Sequence, residues 1–291
     1  MQMGEIGEVR RPAMDPPPSE SYETVPVKGM LKAMVDQMNR SLNIPHMVYC
    51  DEIIMDKMVQ LRTDLQPLAS HQGFKLSYLP LILKATSLAL LKFPILNSSL
   101  SPDETEVWLH KDHHIGIAMD TPKGLLVPNI KQVQLKSVFE IAVELNDLRE
   151  RGKEGKLREA DLTGGTFTLS NIGSIGGTYA SPVIMNPQVA IGALSKMKKG
   201  ACSQPSLLFS RSPAPAHLVT YFSAQFSSRC SLSSQNPVPR FNDDGEVVAQ
   251  TLLLISWGAD HRIIDGGTLA RFSNLWKDYL QNPASMLAES R

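Results

Sequence analysis

Apolar residues recur at helical spacing near the start of the chain. Over residues 26–42, Val27, Met30, Leu31, Met34, Met38 and Leu42 share one face, and Pro45 follows the end. This stripe predicts an amphipathic helix with Met30, Met34 and Met38 as core positions. Residues 47–54 read as a short strand and 55–68 as a second helix. Residues 78–91 are apolar nearly all round, which predicts a buried helix; Ser77 stands where a cap belongs and Pro94 stops it. Alternation predicts strands at 105–109 and 115–119. The turn Asp120-Thr121-Pro122-Lys123-Gly124 leads the second of these into 125–130 as a hairpin. Residues 138–151 form an amphipathic helix with its charges outside. Strands are predicted at 166–169, 189–194 and 247–257, and a last helix at 266–280, stopped by Asn282-Pro283. Helices and strands mix without strict alternation and a hairpin is present, so the pattern predicts an α/β domain with a mixed sheet flanked by helices.

Two segments break the pattern. Residues 1–22 hold Pro12, Pro16, Pro17 and Pro18 and no apolar period; they cannot bury enough surface to offset their ordering entropy and read as a linker. Residues 199–238 hold ten serines, four prolines and no acidic residue. A structureless stretch of that length is unusual within a compact domain, so it reads as an atypical insertion interrupting residues 23–291. It also distorts the averages. The chain of 291 residues carries 29 basic and 29 acidic side chains, yet outside the insertion 26 basic face 29 acidic. Without a basic excess, nucleic acid and acidic membrane surfaces are not expected partners. No apolar run reaches the ~18–20 residues of a membrane span. Cys50, Cys202 and Cys230 fit neither a disulfide framework nor a zinc spacing, and no metal site is expected.

Candidate chemistry centres on Asp260-His261-Arg262-Ile263-Ile264-Asp265-Gly266, where an apolar strand breaks into the last helix. Histidine exchanges protons near neutral pH, and a strand end can hold it rigidly beside a cleft. Asp265 could stabilise the loop, hold an arginine or orient the imidazole; equally, His261 could be an ordinary turn histidine. His110, Asp112, His113 and His114 fall between two predicted strands, and hairpin-tip polarity explains them better than a metal. The glycines of residues 171–177 lack the Lys-Ser/Thr of a phosphate loop.

The motif Asp-His-Arg-x-x-Asp-Gly before the last helix resembles the active-site signature of the catalytic domain of the 2-oxo acid dehydrogenase dihydrolipoamide acyltransferases. Further matches follow in family order: Ile44-Pro45-His46-Met47 with Asp51, Phe93-Pro94-Ile95-Leu96-Asn97, Gly124-Leu125-Leu126-Val127-Pro128-Asn129, the run Leu162-Thr163-Gly164-Gly165-Thr166-Phe167-Thr168-Leu169-Ser170-Asn171, and Arg271-Phe272-Ser273-Asn274-Leu275-Trp276. They cover residues 23–198 and 239–291, and their wording is nearest the branched-chain branch of the family. The resemblance implies a chloramphenicol acetyltransferase-like fold and transfer of an acyl group, in that branch a branched one, between dihydrolipoamide and coenzyme A. It implies His261 as general base, Ser170 as hydrogen-bond donor to the oxyanion and Asp265 as organiser of the site. It aligns Arg62, Ser77, Asp120, Ser170 and Asn171 with positions that contact coenzyme A, although Arg62 could equally be an exposed helix charge. Arg149 and Ser195 depart from the family wording at two further such positions; Arg149 could still meet a phosphate, whereas Ser195 adds bulk and a hydroxyl. Ser170, His261 and Asp265 would also spell a hydrolase triad, but Ser170 is not in a Gly-x-Ser-x-Gly elbow.

Whole family enzymes also carry a lipoyl domain and a domain that binds the decarboxylase and dihydrolipoamide dehydrogenase subunits, and the resemblance to the branched-chain branch implies the mitochondrial matrix. Neither domain nor a targeting peptide is recognisable in these residues, so the expectation is a catalytic core that cannot shuttle its own lipoyl substrate. The resemblance further implies homotrimers with His261 of one chain facing Ser170 of the next, eight trimers making a 24-mer core. A form impaired by the insertion, serving as scaffold only, is the alternative.

Overall fold

A computed structural model describes residues 23–122, 124–199, 240–241, 247–248 and 250–289. The predicted linker, 1–22, and all of the predicted insertion except Lys199 lie outside the described residues.

Helix α1 (Gly29–Ser41) leads into strand β1 (His46–Ile54), then α2 (Asp56–His71) and α3 (Tyr78–Lys92). Short strands β2 (Ser98–Leu100) and β3 (Val107–Leu109) pair with each other. Strands β4 (Ile115–Thr121), β5 (Gly124–Leu126) and β6 (Asn129–Ile130) precede helices α4 (Val138–Lys153) and α5 (Glu159–Leu162). Next come β7 (Phe167–Asn171), β8 (Ala190–Leu194), β9 (Lys198–Lys199), β10 (Arg240–Phe241), β11 (Val247–Val248) and β12 (Thr251–Asp260), followed by α6 (Gly266–Gln281) and α7 (Pro283–Glu289).

Among the described residues the main sheet has the order β1-β12-β8-β7-β4-β5, with β6 also on β4 and β9 also on β12. Strands β4, β7 and β8 run parallel; β12 is antiparallel to both β8 and β1, so the sheet is mixed as expected. Its core face carries Ile115, Ile117, Phe167, Leu169, Ile255 and Trp257 against α3, α4 and α6. There the Trp257 ring meets Phe272 and Trp276 edge-on at 5.1 and 5.0 Å, and the Trp276 indole N–H donates to Thr86 Oγ1 at 2.9 Å. Helix α3 is buried on nearly every side, including Lys84, whose ammonium donates to the carbonyls of Gln134 and Lys136.

Four expectations need correction. The stripe of α1 is not core: Val27, Leu31 and Met34 are exposed, and Ser41 is the only buried residue of the helix. The helix is held through polar contacts at its C-terminal half, Ser41 Oγ to the Ile184 carbonyl and Gln37 Nε2 to the Asn186 carbonyl, and its stripe is only partly covered, with Met30 and Met38 half-buried. The histidines at 110–114 do not sit on a hairpin tip, because β3 pairs with β2 while β4 joins the main sheet. His113 is buried and hydrogen-bonds Ser87 at 2.8 Å, and His110 bonds Ser99 at 2.8 Å. The predicted strand at 247–257 divides into β11, paired with β10, and β12, paired within the main sheet. Beyond Asn282 the chain restarts as α7, with Pro283 at the first position, where its missing N–H costs no helix bond.

Candidate active site

Strand directions sort the candidate residues into two groups. Because β4, β7 and β8 are parallel, their C-terminal ends share one edge of the sheet, which carries Asp120, Ser170, Asn171 and Ser195. Strand β12 runs the other way, so His261 and Asp265, beyond its C-terminal end, lie at the opposite edge. Ser170 is level with Ala193, and Ala193 with Ser256. His261 is therefore two strands across and five residues along, roughly 15–20 Å away at the usual strand spacing and rise. One chain does not bring Ser170 and His261 together.

At the His261 edge the loop is tightly bonded. The backbone N–H of His261 donates to the Pro45 carbonyl at 2.9 Å, and those of Ile263 and Ile264 to the Asp260 carbonyl. Nδ1 of the imidazole lies 3.0 Å from the Ile264 carbonyl oxygen. A carbonyl only accepts, so Nδ1 carries the hydrogen and Nε2, with no bond to a described residue, keeps its lone pair on an exposed ring. Asp265 makes no hydrogen bond to the ring. It caps α6, accepting from Thr268 N at 2.9 Å and from Thr268 Oγ1 at 2.6 Å, and these bonds hold its carboxyl below the usual range. These bonds stabilise the loop's exit into the helix, one of the three roles open to it.

At the other edge lies a cavity of about 340 Å³ between the N-terminus of α3, α4 and the sheet. It gathers Ser77, Arg149, Asn171 and Ser195 from four separate stretches of sequence. Ser77 occupies the N-cap position of α3 as expected, but its hydroxyl makes no capping bond. Arg62 stands behind the cavity, 4.8 Å over the Tyr78 ring and donating to the Leu76 carbonyl, so it is tied into the fold rather than free on a helix. Asp120 is exposed on β4, outside the cavity lining. Ser170 ends the buried run of β7; one residue beyond Leu169, it turns to the face opposite the core, and no described residue bonds its hydroxyl.

Arg149 is the most telling member. Its guanidinium is half-buried in the cavity wall, has no ion pair or hydrogen bond to a described residue, and is pushed down in pKa by burial. A cation without a counter-charge among the described residues fits an anionic group, and phosphates are the anionic part of coenzyme A.

Sequence reasoning missed Gly173, Ser174, Lys196 and Met197, which also line the cavity. Strand β8 leaves β12 at Leu194↔Ile255 and β9 resumes at Lys198↔Leu252, so Ser195, Lys196 and Met197 stand opposite only Leu253 and Leu254. This β-bulge turns residues 196–197 toward the cavity. The Leu254 N–H meets the Ser195 hydroxyl at 3.0 Å, so the hydroxyl serves the bulge instead of projecting as added bulk. Gly173 is required beside it: a Cβ there would lie 2.1 Å from the Ser195 carbonyl oxygen. Pairing across a bulge has no local sequence signal, although the Gly173 position was marked by its glycine-rich run.

The family model described as 2-oxoacid dehydrogenases acyltransferase (catalytic domain) matches residues 19–211 and 230–288. The chain belongs to this family. It is 50% identical over 266 residues, 91% of its length and 47% of the relative's, to the mitochondrial lipoamide acyltransferase component of the branched-chain alpha-keto acid dehydrogenase complex of Bos taurus. It is 35% identical over 282 residues, 96% of its length and 55% of the relative's, to the dihydrolipoyllysine-residue acetyltransferase component of the pyruvate dehydrogenase complex of Bacillus subtilis. A solved structure of the cubic core of the pyruvate dehydrogenase multienzyme complex superposes with a TM-score of 0.77 at 30% identity, covering 94% of this chain and 99% of that one. The mixed α/β fold is thus that of the solved acyltransferase cores. The chain spans about half the length of the curated relatives it matches.

Proposed function

We propose that this chain forms the acyl-transfer core of a branched-chain 2-oxo acid dehydrogenase complex and moves branched acyl groups between dihydrolipoamide and coenzyme A. The observation that carries the reading is the imidazole of His261, locked through Nδ1 to a backbone carbonyl with Nε2 left to accept a proton. In the transfer, Nε2 takes the proton of the coenzyme A thiol as its sulfur bonds to the acyl carbon. The Ser170 hydroxyl donates to the carbonyl oxygen as that oxygen gains charge. The bond to the lipoyl sulfur then breaks and His261 returns the proton to it. Asp265 organises the histidine's loop through the helix cap. Arg149, Ser77, Asn171 and the bulge residues of the cavity hold coenzyme A, with Arg62 bracing Tyr78 and Asp120 flanking the entrance on β4.

The separation of Ser170 from His261 within one chain supports a shared site in which His261 of one subunit faces Ser170 of another, hence trimers, and by likeness to the cubic core a 24-mer. The decarboxylase and dihydrolipoamide dehydrogenase subunits are the proposed partners, and the mitochondrial matrix the proposed location, after the relatives' names.

The test is thiol release from a branched acyl-CoA and dihydrolipoamide, with light scattering for assembly size. Transfer by a large assembly is expected, and Ser170→Ala should lose about 100–1000-fold while leaving measurable transfer, the usual cost of one oxyanion donor. Near-total loss would instead indicate a nucleophilic serine. A stable monomer without transfer, or a full assembly without transfer, would overturn the enzymatic reading.

A further inference from the structure

The loop that presents His261 is braced by a chain of charge that begins elsewhere in the fold. Asp260, directly before the histidine, is buried, with its side chain only 2% exposed. Its carboxylate is held by the next residue but one: Arg262 Nε lies 3.0 Å from Oδ1 and Nη2 2.6 Å from Oδ2, and the Arg262 backbone N–H also donates to Oδ1 at 3.0 Å. Among the described residues Arg262 is the sole cation paired with Asp260. The remaining terminal nitrogen of Arg262, Nη1, pairs with Glu104 in the turn joining β2 to β3, 158 positions away in sequence. That turn is built to hold its shape. Ser101 Oγ accepts from the backbone N–H groups of Thr105 and Glu106, Asp103 accepts from the Thr105 hydroxyl, and the Glu104 N–H donates to the Ser101 carbonyl. Glu104 itself has φ +59°, a conformation that side-chain-bearing residues seldom adopt. The local bonds offset that cost and aim the carboxylate at Arg262.

We propose that Glu104 is a positioning residue for His261, acting through Arg262 and Asp260; this rests on the reading of His261 as general base. Asp260 accepts through its backbone carbonyl from Ile263 and Ile264, and the Ile264 carbonyl in turn fixes Nδ1 of the imidazole. Any freedom gained by Arg262 therefore passes through Asp260 to the ring. Glu104 makes no hydrogen bond to His261 and needs none. Its side chain is 61% exposed, so replacing it removes the anchor without opening the core.

The experiment compares Glu104→Ala and Glu104→Gln with the unaltered chain in its assembled form. Two readouts are taken: steady-state transfer, and hydrogen–deuterium exchange of the peptide spanning residues 258–266, which needs no activity. Glu104→Ala should lower kcat about threefold to tenfold with KM for coenzyme A unchanged, and speed exchange at Ile263 and Ile264 at least fivefold. Glu104→Gln, which keeps the reach and one hydrogen bond, should fall between. In an Arg262→Lys background the Glu104→Ala loss should shrink, because the two residues act in series. A kcat within twofold of the unaltered chain, or unchanged exchange, would overturn the proposal. If the unaltered chain shows no transfer, the proposed function fails separately; faster exchange then still supports the brace and unchanged exchange still sinks it.

Discussion

Replacing Arg149 with methionine should move binding and stability in opposite directions. The guanidinium sits half-buried in the cavity wall with no described partner, so in the free protein it bears a desolvation cost that no described residue repays. Methionine keeps the apolar stem that packs along α4 and removes the charge. Relief of the uncompensated cation is worth on the order of 1 kcal/mol, which at this chain length raises Tm by about 2–4 °C. With coenzyme A seated on Arg149 as proposed, the same substitution should remove a charge-assisted contact of about 1.5–3 kcal/mol, raising Kd about 10–150-fold. The two effects separate in a thermal-shift titration. At a coenzyme A concentration of 100 times the unaltered protein's Kd, ligand stabilises it by about 2.7 kcal/mol. A variant binding 50-fold more weakly gains about 0.6 kcal/mol there, so the order of Tm values inverts on adding ligand. Initial rates should show KM for coenzyme A rising with a much smaller fall in kcat, the signature of uniform binding lost. An Arg149→Met protein that melts lower than its parent without ligand and keeps its KM would refute the argument, because the guanidinium would then be a satisfied structural group.

Two other predictions concern the core. His113, buried against Ser87 with Lys84, Asp112 and His114 around it, has its pKa pushed down to about 4, chiefly by desolvation. The unfolded chain binds this proton below about 6.5 and the folded one does not until about 4. Stability is therefore complete above pH 6.5 and declines as pH falls toward 4, by up to about 3 kcal/mol. Tm measured from pH 7 to 4.5 should fall less steeply in His113→Gln, with part of the slope left to His110 and His114, also lowered by burial; equal slopes would remove His113 from the account. Gly192→Ala places a Cβ 2.4 Å from the Trp257 ring and 2.7 Å from Leu169, and should cost about 1–3 kcal/mol, a drop of several degrees in Tm; an unchanged Tm would mean the aromatic cluster yields more easily than its packing suggests.

Much of this protein was written locally in its sequence. The apolar period placed α3 almost to the residue, because a helix buried all round leaves little ambiguity. The break at Asp260-His261 marked the loop that carries the histidine, since a strand's end and a helix cap are both local events. The α1 stripe misled for a physical reason: periodicity reports which face is apolar, not whether a partner covers it, and the polar anchors at Gln37 and Ser41 decided the docking. Tertiary structure alone decided that Ser170 and His261 stand at opposite edges, because antiparallel pairing of β12 with β8 depends on contacts far apart in the chain. It alone set Arg149 without a counter-charge among the described residues, turned the Ser195 hydroxyl onto the Leu254 N–H at the bulge, and joined Glu104 to Arg262. Local sequence fixes what a segment prefers to be; pairing register and burial, which sum contributions from distant segments, fix which chemical groups are left free to act.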